Sequence, residues 1–222
     1  MVGESGAGKT TLLRVIAGLT PPASGSLTYA GAPLPARRSR AQRRAIQVVF
    51  QDPHSSLNPR LTIEQVLGEL LRVHQIVPAA AIRAECERLL DMVGLPASAL
   101  SKRPTAFSGG QRQRIGIARA LSLRPQLLLA DEPVSALDVS IQASILQLLR
   151  NLQLDLELTI LFISHDLAVV RQFCDRVAVL HHGEIVEEGP PSSLLSSPRH
   201  PYTRELVAAS PQLPLNAPRS RW

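Results

Sequence analysis

Leu12, Val15, Ile16 and Leu19 recur at helical spacing and predict a helix that begins at Thr10 and meets a stop signal at Gly18. The stretch "SGSLTYAG" that follows predicts a short strand between turns, and "IQVVF", residues 46–50, is an apolar β-branched run that predicts a buried strand ending at Gln51. Between Thr62 and Gly94 the period turns helical: Leu67, Leu70 and Leu71 mark one helix, Ile82, Leu89, Leu90 and Val93 a second, with Pro78 between them. Strands then alternate with helices, in "QLLLAD", "SIQASILQLLRNL", "TILFIS", "DLAVVRQF" and "RVAVL". That alternation predicts an α/β fold built on a largely parallel sheet covered on both faces, with the 62–94 segment as a helical insertion. "HHGEIVEEG" places Gly183 between two strand-like pieces and predicts a hairpin, with His181 and His182 as strand neighbours facing opposite sides. From Pro190 the chain is rich in Pro, Ser and Arg and has no strong periodicity after Ala209, so its end is expected to be a tail.

Composition narrows the setting. The 222 residues are 45% hydrophobic, enough to bury a real core. No run approaches the roughly 18 apolar residues of a membrane span, and no charged-then-apolar leader opens the chain, so a cytoplasmic protein is expected. Cys86 and Cys174 form neither a C-x-x-C pair nor a disulfide framework. The net charge of +6 comes almost wholly from arginine, with Lys9 and Lys102 the only lysines. The cluster of Arg37, Arg38, Arg40, Arg43 and Arg44 has no interleaved aromatic on which bases could stack, which argues against nucleic acid and for a solvated helix face.

Three segments carry chemistry. Gly3, Glu4, Ser5, Gly6, Ala7, Gly8, Lys9 and Thr10 fit G-x-x-x-x-G-K-[ST], a loop whose glycines turn backbone N–H groups inward to cradle phosphate at a helix N-terminus; Thr11 continues into that helix. In such a loop Lys9 reaches the terminal phosphates and the Thr10 hydroxyl ligates Mg²⁺. Asp131 and Glu132 end an apolar strand, where ligands of open parallel sheets bind. Asp131 suits a Mg²⁺ role and Glu132 that of a base polarising water. An acidic pair after a strand is otherwise a helix cap, but the phosphate loop in the same chain favours the metal and base roles. In "FSGGQRQRIGIARAL", Ser108 can cap a helix while Gly109 and Gly110 bare its first N–H groups; the physics alone leaves a plain capped helix and a second anion site equally open.

Together these segments resemble the ATP-binding cassette ATPases, with the phosphate loop, a glutamine loop at Gln51, "SGGQ" at Ser108, Gly109, Gly110 and Gln111, the acids Asp131 and Glu132, "SALD" ending at Asp138, and a switch histidine, His165, in "ISHD". The motifs stand in family order across most of the chain. "QDPHSSLNPR" and "HPYTRELVAASP" are similar to the peptide/nickel importer branch, and "FSGGQ" is similar to the oligopeptide permease partner ATPase. Some members carry a cysteine cluster near the C-terminus, which this sequence lacks, so no iron–sulfur site is carried over.

The resemblance implies a P-loop NTPase domain over residues 1–209, with a helical subdomain at about 52–122, a C-terminal extension from about 190 and a tail at 210–222. It implies ATP and Mg²⁺ as cofactors and a head-to-tail dimer with an identical or sibling ATPase. In that dimer Ser108 and Gly110 of one subunit meet the γ-phosphate held by Lys9 and Thr10 of the other. Glu132 would activate water, His165 would contact the γ-phosphate, Gln51 would sense Mg²⁺ and water while linking to transmembrane permease subunits, and Asp138 would act across the dimer. A solute-binding protein would be an indirect partner, and the place of work would be the cytoplasmic face of the membrane. Family domains also carry an antiparallel β portion and an adenine-stacking aromatic ahead of the phosphate loop. The expectation is that Met1 stands where relatives have an internal strand residue, through a miscalled start or a truncation, and that the chain as given folds poorly and binds ATP weakly. The alternatives are a non-transport member acting on nucleic acid or ribosomes, whose coiled-coil insertions or second cassette are not seen here, and an inactive remnant. The solute is not legible in the sequence.

Overall fold

The computed structural model describes residues 1–52 and 57–210. Part of "QDPHSSLNPR" and all but the first residue of the 210–222 tail lie outside the described residues.

The sheet is built from apolar runs that leave no polar face. Strands β3 (Ile46–Val49), β4 (Leu127–Asp131) and β5 (Thr159–Ile163) pair in parallel in the order β3-β4-β5, with Val48 opposite Leu129 and Leu129 opposite Leu161. Alternation along each strand sends successive side chains to opposite faces. Leu128, Ala130, Val49 and Phe162 join one hydrophobic cluster, and Leu129, Ile46 and Ile163 another. The sheet is therefore covered on both sides, as the alternating strand and helix pattern predicts.

Helix α1 (Lys9–Ala17) covers one face through Leu13. Gly18, in the left-handed region, ends it and returns its N–H to the carbonyls of Arg14 and Val15. A short hairpin of β1 (Thr28–Tyr29) and β2 (Ala32–Pro33) and helix α2 (Arg40–Ala45) complete this side. Here the arginine cluster departs from the expected solvated face. Arg38 is buried, and its guanidinium donates to the carbonyls of Val15 at 2.7 Å and Ile16 at 3.2 Å, and to those of Leu34 and Pro35. The last carbonyls of α1 have no intrahelical partner and attract a cation, which is why one arginine of the five is drawn inside.

The other face carries the helical insertion and what packs on it. Helices α3 (Ile63–Val73) and α4 (Ile82–Met92) bury Leu67, Leu71, Leu89 and Leu90 between each other and α5 (Gly109–Leu121), which packs in turn on α6 (Val139–Asp155) in one hydrophobic cluster. Thr62 opens α3 with a capping box closed by Gln65. Cys86 lies in this core, where burial pushes its thiol up to about 11, and Cys174 is half-buried; both are free.

Helix α7 (Leu167–Phe173) leads to β6 (Val177–His181) and β7 (Glu184–Gly189), an antiparallel hairpin. Met1 and Val2 lie between β5 and β6. Met1 donates to the Phe162 carbonyl at 2.6 Å and accepts from Ser164 N–H, while Val2 donates to Ala178 and accepts from Leu180 N–H. These bonds join the three-stranded sheet to the hairpin. The hairpin also corrects one expectation: His181 ends β6, but His182 is in the turn with φ of +48°, and the two rings lie against each other at 4.1 Å. They share a side because the turn reverses the strand's alternation. Beyond Pro190 the expected C-terminal extension holds two helices, α8 (Pro191–Ser196) and α9 (Pro201–Ala209), which pack Leu194, Leu195 and Tyr202 against Val177 and Val179.

Candidate functional site

The phosphate loop wraps the N-terminus of α1 and is fixed from behind by the β6–β7 hairpin. Gly183 N–H donates to the Ala7 carbonyl at 3.1 Å. Gly3, at φ of +151°, passes so close to β6 that a Cβ there would lie 2.1 Å from the Leu180 carbonyl oxygen, so this position admits only glycine. Lys9 is nearly buried, and its Nζ donates to the carbonyls of Gly3 and Glu4, each at 2.7 Å. The helix itself starts at Gly8 without any side-chain cap, so its first N–H groups point into the loop.

Asp131 and Glu132 reach the loop from the end of β4. The Thr10 hydroxyl donates to Asp131 Oδ1 at 3.2 Å. Burial raises the Asp131 carboxyl above the usual carboxylate range, opposed by the Thr10 hydroxyl, while the adjacent Glu132 raises it further. Glu132 adopts φ of +45°, a left-handed conformation that costs a non-glycine residue on the order of 1–3 kcal/mol. Its N–H is held by the Ile163 carbonyl at 3.1 Å, and its Oε2 lies 3.1 Å from Nδ1 of the exposed His165, at the end of β5. Strain at this residue therefore aims its carboxylate at His165 rather than into the strand.

Gln51, just past β3, donates from Nε2 to the Ser135 hydroxyl at 3.1 Å, and that hydroxyl donates in turn to the Glu132 carbonyl at 3.1 Å. Ser135 is thus a site residue beyond those the sequence singles out by role; its signals are that it opens the "SALD" motif and stands three residues after Glu132, where a serine closes a turn. Ser5, Gly6, Gly8, Lys9, Thr10 and Thr11 together with Gln51, Glu132 and His165 line one open cleft of about 620 Å³.

The "SGGQ" segment forms a separate cluster. Ser108 accepts from Gln111 N–H at 3.3 Å while Gln111 Oε1 accepts from Ser108 N–H at 3.0 Å, a closed capping box at the exposed start of α5. Gly109 lies against Leu137 of the "SALD" segment, and a Cβ on Gly110 would fall 2.5 Å from Ile141 Cγ2 on α6. Asp138 caps α6 by accepting from Ile141 N–H at 3.1 Å and from the Ser140 hydroxyl at 2.8 Å. The Ile141 N–H, then the Ser140 hydroxyl, hold its carboxyl below the usual range. Ser108, Gly109, Gly110, Gln111 and Asp138 do not line the phosphate-loop cleft.

The cleft suits a triphosphate with a divalent cation. An almost buried ammonium parked on two carbonyls is free to exchange them for phosphate oxygens, and Asp131 holds a buried carboxylate beside a hydroxyl with its charge poorly offset.

Comparison with known proteins agrees with this geometry. The family model described as ABC transporter matches residues 1–135 of the 222. A relative in Brucella ovis whose name makes it a peptide import ATP-binding protein is 51% identical over 214 residues, covering 95% of this chain and 68% of the relative. The oligopeptide transport ATP-binding protein OppF of Lactococcus lactis subsp. lactis is 46% identical over 216 residues, covering 96% and 68%. Among solved structures, cbiO1 of Clostridium perfringens, part of the ABC transporter complex cbiONQ, superposes with a TM-score of 0.78 at 30% identity, over 88% of this chain and 78% of that one. With a phosphate loop, a strand-end acidic pair and a parallel sheet all in place, the chain belongs to the ABC transporter family, among its ATP-binding ATPase subunits.

Proposed function

We propose that this protein is the ATP-hydrolysing subunit that energises an importer of peptides, nickel or a related solute, working at the cytoplasmic face of the membrane. The names of the Brucella and Lactococcus relatives favour peptides within that range. Among the described residues no helix is long and apolar enough to cross a membrane. In this reading permease subunits supply the span, with a solute-binding protein upstream of them. The single observation that carries the reading is the convergence of Lys9, Thr10, Gln51, Glu132 and His165 on one cleft.

In this mechanism the loop N–H groups and Lys9 hold the β- and γ-phosphates. Thr10 and Asp131, with Gln51, would hold Mg²⁺, which supplies charge neutralisation to the phosphates when bound. Glu132 accepts the proton of a water as its oxygen bonds to the γ-phosphorus; the bond from that phosphorus to the bridging oxygen breaks, releasing ADP and inorganic phosphate. His165, 3.1 Å from Glu132, steadies the carboxylate and faces the γ-phosphate. Gln51 is tied through Ser135 to the Glu132 carbonyl, a link through which, in this reading, permease contact would reach the water-activating residue.

The "SGGQ" tip stands apart from this cleft, which supports a head-to-tail dimer with an identical or sibling ATPase: Ser108, Gly109, Gly110 and Gln111 then complete the site of the other subunit, and Asp138 acts across the junction. The domain is taken to span 1–209 with the boundaries given by the motifs. The test is Glu132→Gln, expected to slow hydrolysis by about 10²- to 10⁴-fold while leaving ATP binding intact. Loss of both together would place Glu132 in binding or folding, and no loss of either would end its role as base.

A further inference from the structure

The phosphate loop has a contact that none of its motifs accounts for. Glu4 N–H donates to the Tyr202 hydroxyl at 2.8 Å, across 198 positions of chain. Tyr202 is buried near the start of α9, and its ring stacks on His181 at 3.8 Å and 23°, so the hydroxyl has little freedom to swing away. The start of α9 is itself pinned: the Glu187 carboxylate on β7 accepts from the N–H groups of Arg199 and His200, each at 3.0 Å, and His200 Nδ1 caps the helix by accepting from Tyr202 N–H at 3.3 Å.

The same peptide unit, which joins Gly3 to Glu4, is held on its other side: its carbonyl, that of Gly3, accepts from Lys9 Nζ at 2.7 Å. The next carbonyl along, that of Glu4, accepts from Lys9 Nζ at 2.7 Å and from Ala7 N–H at 3.2 Å. Rotating the Gly3–Glu4 peptide would move a point on which Lys9 rests, so a group that fixes its N–H also fixes where the ammonium waits before phosphate arrives. Backbone N–H groups near a phosphate cradle work by being aimed beforehand, and a loop free to reorient loses affinity to the ordering cost.

Resting on the ATPase function proposed above, we propose that Tyr202 is a positioning residue of the nucleotide site: its hydroxyl holds the Gly3–Glu4 peptide, and through it the phosphate loop, in the orientation that receives triphosphate. The C-terminal segment is in this way part of the ATP site although it touches no phosphate.

Tyr202→Phe keeps the ring on His181 and removes only the oxygen. In the intact protein it is expected to weaken ATP binding about five-fold, the effect of one hydrogen bond, and to raise KM for ATP by a similar factor while kcat at saturating ATP stays near that of the unmodified protein. Inorganic tripolyphosphate, titrated as a competitor, should lose affinity by the same factor, since the effect lies in the phosphate cradle. Arg204→Ala, which removes contacts of α9 to the Pro198 and Arg199 carbonyls and spares the hydroxyl, should leave ATP affinity unchanged. An unchanged Kd in Tyr202→Phe with a lowered Tm, or an equal loss in Arg204→Ala, overturns the inference in favour of simple helix seating. Failure of the unmodified protein to bind ATP would instead sink the function proposed above.

Discussion

The two glycine-flanked helix ends of this molecule look alike in sequence and differ in how their N–H groups are treated. At α1 the cap position is Gly8, no side chain closes the end, and the surrounding loop is tied down from outside by Gly183 and Tyr202 and from within by the Lys9 ammonium. At α5 the end closes on itself, Ser108 and Gln111 bonding each other across one turn. The first is a receptacle assembled by distant parts of the chain and left open at its centre. The second is a finished local structure that offers an exposed serine and a glycine backbone to something outside. A helix tip that stands complete without a ligand is suited to completing another subunit's site; one whose N–H groups are uncapped is suited to holding the ligand first.

Substitutions can break that contrast. Lys9→Ala has the largest expected effect on binding: loss of the ammonium should weaken ATP by roughly 10- to 100-fold, as for hydrogen bonds to a charged group, measured by nucleotide titration. Ser108→Ala should leave ATP affinity of a single subunit unchanged while hydrolysis in the assembled protein falls, and should lower Tm by about 2–4 °C for about 1 kcal/mol of lost capping. If Ser108→Ala weakened nucleotide binding to the isolated subunit as Lys9→Ala does, the two ends would not be the different devices they are taken for.

The smallest effect concerns charge at the open end. Burial raises the carboxyl of Asp131 in the fold, so without ligand its ionised form works against the native state at neutral pH, and that penalty fades as pH falls through the raised value. Asp131→Asn should therefore raise the Tm of the ligand-free protein at pH 7 and give less or no gain in acid. A melting series over pH with no such narrowing would mean that the carboxylate is well compensated without any cation.

The local parts of this site were legible because each is written in consecutive residues: a glycine spacing, an acidic pair at a strand end, a serine before two glycines. The parts that were not legible depend on the chain returning from afar. Tyr202 meets Glu4 only because β6, β7 and α8 carry α9 back over the loop, and nothing in "HPYT" itself names that partner. Ser135 sits within a recognised motif, yet its link to Gln51 spans the sheet edge from β3 to β4. The helices after Pro190 were hidden by short length and by Pro and Ser, which start helices as readily as they end them. His182 escapes the strand rule because a turn of two residues reverses the facing that strand alternation predicts.

Arg38 bears on how the molecule is felt at close range. A guanidinium seated among the carbonyls of α1 and of residues 34 and 35 has its near field largely answered by those dipoles. Those dipoles carry no net charge, so the surplus of +6 stands at long range; at short range, a phosphate or carboxylate that approaches this patch meets the other four arginines of the cluster and not Arg38.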